Sequence, residues 1–132
     1  MTSVLKMSVG LFLAGAALAV TPKPAAAATS SFDGNWSVLI VTNSGPCDQF
    51  YRFGLFIRNG DIFYNGSTPV TLNGRVKSNG SVRVHVSSGA QKANGIGRLS
   101  LDYGRGEWRG AGSSGTCVGW WTAERYWTGA YY

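Results

Sequence analysis

The residues of this chain that could do chemistry are few and far apart. It holds two cysteines, Cys47 and Cys117, one histidine, His85, and six carboxylates, Asp33, Asp48, Asp61, Asp102, Glu107 and Glu124. Two cysteines and one histidine do not supply the closely spaced tetrahedral set that structural zinc needs. In an exported chain they read instead as one disulfide, Cys47 to Cys117, since an oxidising compartment would consume free thiols. The carboxylates fall mostly at expected turns and strand ends, so no inward-facing pair is set for acid-base work. Serine is plentiful, but a hydrolytic triad needs a histidine inside a site, and His85 falls on an outer strand face. The glycines lack the strand-to-helix context of a phosphate loop. These residues predict a protein that is not an enzyme and takes no cofactor or metal.

Export itself is read from the start of the chain. Lys6 is followed by "MSVGLFLAGAALAV", residues 7 to 20, and then by the small residues of "TPKPAAAATSS". That order is a secretory signal peptide over residues 1–28, with Ala26-Ala27-Ala28 as the cleavage site. The apolar run falls short of the roughly 20 residues that span a bilayer. No cysteine precedes Cys47, so no lipoprotein anchor is expected, and the location is periplasmic or secreted. Residues 29–132 then form one small domain that keeps 10 of the 12 basic residues against 6 acidic ones.

The elements that must position these residues are all strands. Asn-Gly recurs at 59, 65, 73, 79 and 94, the strongest short hairpin signal between alternating apolar runs. Eight such runs follow one another: "NWSVLIVT", "QFYRFGLFI", "DIFY", "VTLNGRVK", "SVRVHVS", "GIGRLSL", "GEWRG" and "TCVGWWTAERYW". Their period of two puts Trp36, Val38, Ile40, Tyr51, Phe53, Leu55 and Ile57 on one face. A three-residue loop in "KSNGS" pairs Val76 with Val82 and turns Val82, Val84 and Val86 the same way; Leu99, Leu101 and Trp108 continue that interior. The bulk of Tyr51, Phe53, Trp108 and Trp121 predicts a filled core.

Eight short strands with one apolar face expose either that face or two edges unless the sheet closes. The expected fold is therefore an all-β, single eight-stranded antiparallel up-and-down barrel with one disulfide. Closure sets the last strand beside the first. Trp36 and Arg125 then meet at one end, where a guanidinium can stack on the indole and seal the barrel.

The "GNW" of residues 34–36, with Arg125 in the last strand, resembles the G-x-W and closing arginine of calycins: lipocalins, avidins and the bacterial metalloprotease-inhibitor barrels. That resemblance implies a calycin-like barrel, and for the inhibitor branch a periplasmic protease inhibitor. Over roughly residues 32–125, the G-x-W, G-x-C-D, "NGRVKSNGSVRVHVSSG", "GIGRLSLDYGRGEWRG" and C-x-G-x-W-x-A-x-R segments are also similar to small exported bacterial proteins of unknown function. Some of those carry a loose label of haem utilisation or adhesion. For haem, His85 is the one candidate ligand, and its place on the outer face argues against that use.

Two outer surfaces remain as candidate sites. Leu39, Val41, Phe50, Phe56 and Trp120 form an expected apolar patch on the last, first and second strands, fit for a protein partner or, as the avidin resemblance implies, a homodimer. The tail "YWTGAYY" folding back over it is the alternative. Arg75, Lys77, Arg83, His85, Arg98, Arg105 and Arg109 form a basic stripe over strands four to seven, fit for an anionic polysaccharide or lipid headgroup. No specific nucleic acid and no membrane span is expected. The sequence thus predicts a non-catalytic exported β-barrel binding or interaction module acting through the apolar outer face. An adhesion-type module working through the basic face is the alternative.

Overall fold

The computed structural model describes residues 31–126. The expected signal peptide, its cleavage site and the tail from Trp127 onward lie outside them. Eight antiparallel strands follow in order: β1 (Gly34–Ser44), β2 (Phe50–Arg58), β3 (Asp61–Tyr64), β4 (Thr71–Val76), β5 (Ser81–Ser88), β6 (Gln91–Leu99), β7 (Tyr103–Gly112) and β8 (Gly115–Tyr126). Each pairs with its sequence neighbour, and β8 pairs with β1, so the sheet is a closed up-and-down barrel. Closure satisfies both edges at once. The β1–β8 seam runs from Asn35↔Tyr126 to Ser44↔Val118, with an irregularity between Thr42 and Ser44.

Alternation along the strands turns Trp36, Val38, Leu55, Ile57, Ile62, Val76, Val82, Leu99, Trp121 and Ala123 into the buried interior. Val76 faces Val82 across the β4–β5 turn, where Gly80 is left-handed. Asn79 Oδ1 accepts from the Ser81 backbone N–H and hydroxyl, an Asx turn that holds this hairpin. Asn59 and Gly60 both have positive φ at the β2–β3 turn, as a type I′ turn requires.

Two local expectations are corrected. Asn94-Gly95 is not a turn: it lies inside β6, as Asn73-Gly74 lies inside the run "VTLNGRVK", with Asn73, His85 and Asn94 in one cross-strand row on the outside. The glycine of each pair faces inward, where its missing side chain matters more than its turn propensity. Leu101 is not in the interior either. The Ser100 N–H donates to the Tyr103 carbonyl and closes the β6–β7 turn there, which leaves Leu101 at the tip, 61% exposed.

The barrel has unlike ends. At the closed end, Phe32 plugs the lumen and its carbonyl accepts from Trp36 Nε1 at 2.8 Å. The Arg125 guanidinium lies 5.0 Å from the Trp36 ring centroid, and its Nη2 donates to the Ser31 carbonyl at 2.7 Å. Burial lowers the Arg125 pKa from its ordinary value, and the charges of Asp102 and Asp33 oppose that shift. Asp33 also accepts from the Asn59 and Gly60 backbone N–H groups, which ties the entering segment to the β2–β3 turn. At the open end, Cys47 of the β1–β2 loop is bonded to Cys117 near the start of β8. The disulfide spans a sequence separation of 70 residues and reaches across β1.

In the chain-entropy model a loop of that length stabilises the fold by about 4 kcal/mol. Reduction should therefore lower Tm by about 10 °C or more in a calorimetric scan. Unchanged melting with both thiols alkylated would show that the bond contributes nothing.

Candidate functional site

The interior is not filled, which corrects the expectation drawn from its aromatic residues. An apolar cavity of about 250 Å³ runs along the barrel axis, with Val38, Leu55, Val84, Gly95, Trp108 and Trp121 among its walls. It opens into a vestibule of about 470 Å³ at the disulfide end. The two share Ile40, Tyr51, Phe53, Leu72, Val86, Ala93 and Trp108.

Glycine explains the empty space. On β6, β7 and β8 many inward positions are glycine: Gly95, Gly97, Gly104, Gly106, Gly110 and Gly119. Trp121 of β8 lies over the paired Gly106 and Gly97 and ends on β6, where its Nε1 donates to the Ile96 carbonyl at 3.2 Å. Trp108 of β7 crosses Gly119 of β8 and ends on β1, where its Nε1 donates to the Val41 carbonyl at 3.0 Å. A Cβ on Gly119 would stand 2.8 Å from Trp108 Nε1, and one on Gly106 would stand 2.6 Å from Trp121 Cε2. With no side chains beneath them, both indoles fit flat against the wall and leave the axis open.

This geometry also sets the chemistry of the cavity. The indole N–H groups of Trp36, Trp108 and Trp121 are all taken by backbone carbonyls. The cavity therefore presents hydrocarbon and aromatic surface, without a directed donor to orient a polar substrate. Polar groups gather only at the vestibule: Thr42, Asp48, Tyr64, Ser87, Gln91 and Lys92. One wall of the passage is an aromatic ladder, with Tyr51–Phe53 and Phe53–Tyr64 ring centroids 5.8 and 6.0 Å apart.

The lip of the vestibule is fastened on one side and loose on the other. The Thr42 N–H donates to the Gln49 carbonyl and the Thr42 hydroxyl to the Asp48 carbonyl, while the disulfide fixes the same loop to β8. Gly45, at φ +108°, packs so closely that a Cβ would stand 2.7 Å from Cys117 Cα. Opposite, β3 and β4 pair at only Asp61↔Arg75 and Ile62↔Gly74, so Thr68 and Val70 of their loop line the opening.

The expected outer patch divides into two groups. Phe50, Val41 and Trp120 share one row across β2, β1 and β8, with Phe50 63% and Trp120 45% exposed. Leu39 lies in the next such row, between Arg52 and Thr122. Phe56 does not join them. It is six residues along β2 from Phe50, about 20 Å, and pairs instead with Asn35 and Phe63. Gly54 and the Arg52–Ser37 hydrogen bond lie between, and Arg58 covers the Phe56 ring at 5.3 Å.

The structure places Arg75, Lys77, Arg83, His85, Arg98, Arg105 and Arg109 on the outer surface. Arg75 stands directly opposite Arg83, and Arg98 opposite Arg105. Opposed like charges cost roughly 0.2–1 kcal/mol per pair, which the Arg75–Asp61 ion pair relieves in the first case. His85 Nδ1 lies 2.7 Å from Asn94 Oδ1 on that surface. Among the described residues no group of three or more His, Cys, Asp or Glu side chains gathers in metal-ligand fashion.

The glycine-and-indole arrangement is testable by adding single methyl groups. A Cβ on Gly95 meets its nearest neighbour, Trp121 Nε1, at an ordinary 3.6 Å. Gly95→Ala should thus raise stability by about 0.5–1 kcal/mol through reduced unfolded-state entropy. Gly106→Ala should lower stability by about 1–3 kcal/mol through overpacking, since its Cβ would stand 2.0 Å from the Ile96 carbonyl oxygen as well as 2.6 Å from Trp121 Cε2. Urea titration distinguishes the two, and equal effects would refute the arrangement.

Compared with known proteins, the chain matches no family model, no curated protein and no solved structure.

Proposed function

We propose that this protein is a non-catalytic binding barrel whose cavity takes a small apolar ligand, or the hydrocarbon part of an amphiphile. The observation that carries the reading is an open cavity whose walls are apolar and whose three interior indole N–H groups are already satisfied. Ligand sites are concave and mostly apolar, with a few polar groups placed for orientation. Here the polar groups stand only at the vestibule, so a ligand enters apolar end first and leaves any head group beside Tyr64, Gln91 or Lys92. A sugar or nucleotide would lose its hydration in the cavity without replacement.

The disulfide supports an oxidising compartment, periplasmic or extracellular. A spanning barrel carries an apolar outside around a polar inside; the apolar lumen and largely polar outer wall found here support a barrel that does not span. No helix of the described residues is long and apolar enough to cross a membrane.

The test is a fluorescent apolar probe, N-phenyl-1-naphthylamine, competed by dodecanoic acid. The chain should enhance probe emission, and the fatty acid should reverse it. Gly95→Leu, which fills the cavity from β6, should weaken probe binding about tenfold or more, a loss of about 1.4 kcal/mol, with unchanged near-UV circular dichroism. Full affinity in a folded Gly95→Leu protein would eliminate the cavity as the site.

A second reading, a protein partner or second copy on the outer wall, is favoured by the Phe50–Val41–Trp120 row across three neighbouring strands. Phe50→Ser with Trp120→Ser should convert a dimer to monomer in sedimentation velocity. A wild-type chain that is monomeric at all concentrations and captures no partner would remove this reading.

A further inference from the structure

The outer wall of β4–β7 plays no part in the cavity, yet it has its own organised relief. Two rows of outward side chains cross it. The first carries Asp61, Arg75, Arg83, Ile96 and Glu107 on successive strands. The second carries Ser81, Arg98 and Arg105, with Lys77 bonded through its backbone to Ser81. Between the rows lies a groove of about 580 Å³, floored by Val82, Gly97 and Gly106, with Arg75, Arg83 and Lys77 on its banks.

The charges along this groove are uneven. Asp61 lies at one end, already paired with Arg75, and Glu107 lies at the other. Among the described residues that is the only ion pair, so Lys77, Arg83, Arg98 and Arg105 are not neutralised by any carboxylate. Arg98 is held toward the β4–β5 turn by a 3.3 Å hydrogen bond from its Nη1 to the Asn79 carbonyl. With strands 4.7–4.9 Å apart, the cations extend over about 14 Å across four strands. They do not converge on one point, as a site for a single small anion would. They run as a track, which suits an extended polyanion.

The other features of the wall narrow the class. No aromatic side chain lines the groove, so there is no platform on which single-stranded bases could stack. Trp120 borders the β7 end of the groove beside Glu107, Phe50 and Val41 lie farther round the wall, and Ile96 is the one exposed apolar side chain lining the groove itself, too little to insert into a bilayer. Guanidinium groups suit carboxylates and sulfates, which they can bind through two parallel N–H groups.

We propose that the groove across β4–β7, together with the Arg98–Arg105 row that borders it, binds a linear acidic polysaccharide, its carboxylates or sulfates lying against Lys77 and Arg83 in the groove and Arg98 and Arg105 beside it. The site is independent of the cavity, and the two can be occupied together.

Immobilised heparin is the probe, applied to the full chain. Wild type should be retained at low salt and elute on a salt gradient, since screened charges carry the contact. Arg83→Glu with Arg98→Glu should weaken binding to soluble heparin about tenfold or more. The milder Arg83→Gln with Arg98→Gln should fall between, which guards against a fold lost to charge reversal. Arg52→Glu with Lys92→Glu makes the same change in net charge away from the groove, Arg52 on β2 and Lys92 at the vestibule end of β6, and should leave affinity within about twofold. Equal losses from the two reversed pairs would reduce the effect to net charge and overturn the proposal. So would an unretained wild type, or tighter binding to single-stranded DNA or phosphatidylglycerol vesicles than to heparin.

Discussion

An eight-stranded barrel encloses a lumen that its own inward side chains are just able to fill. The open cavity follows from how this chain evades that limit. Its largest interior rings, Trp108 and Trp121, would meet near the axis if the neighbouring inward positions carried ordinary side chains. Glycine at 97, 106 and 119 removes those side chains, and each indole extends sideways across the bare backbone to a carbonyl beyond it. The same contacts satisfy the indole N–H groups, so the cavity left behind is both open and without a free indole donor. Those glycines also let neighbouring strands approach closely, for a Cβ at 97, 106 or 119 would stand within 2.3 Å of a backbone carbonyl oxygen.

The two ends divide the labour of holding that shape. At the closed end, Trp36 is 1% exposed between Phe32 and Arg125, and its N–H bonds the carbonyl of the residue that plugs the lumen. The arginine serves closure by covering an aromatic face and by reaching the Ser31 carbonyl. At the open end the disulfide and Thr42 pin one lip, while the two-pair seam between β3 and β4 leaves the other lip less tightly held. Access to the cavity is therefore expected on the β3–β4 side, where Tyr64, Thr68 and Val70 stand.

Outside, the barrel is polarised around its circumference. Following one row of residues around the wall passes Phe50, Val41 and Trp120, then Glu107 and Ile96, then Arg83 and Arg75. Apolar and basic surfaces thus follow one another around one small cylinder. A closed barrel has no sheet edge with which to recruit partners, so the surfaces it offers are its lumen and these side-chain rows.

The sequence by itself determined the architecture, because period-two alternation and an apolar face that must be covered leave few solutions for eight short strands. It also determined the disulfide, from the only two cysteines, and the meeting of Trp36 with Arg125, which follows once the last strand closes on the first. It misjudged what lies inside. The pattern "NGIGRLSLDYGRGEWRG" reads as a turn, two short strands and part of a basic stripe, and since glycine carries no hydrophobic signal its inward glycines gave no sign of a cavity. That Asn94-Gly95 lies within a strand, that Leu101 sits at a turn, that Phe56 is about 20 Å from Phe50, and that Trp108 and Trp121 spread along the wall are all matters of register and ring orientation. Register couples residues from strands far apart in sequence, and the direction a ring takes depends on which neighbours lack a side chain, so only the assembled barrel could decide them.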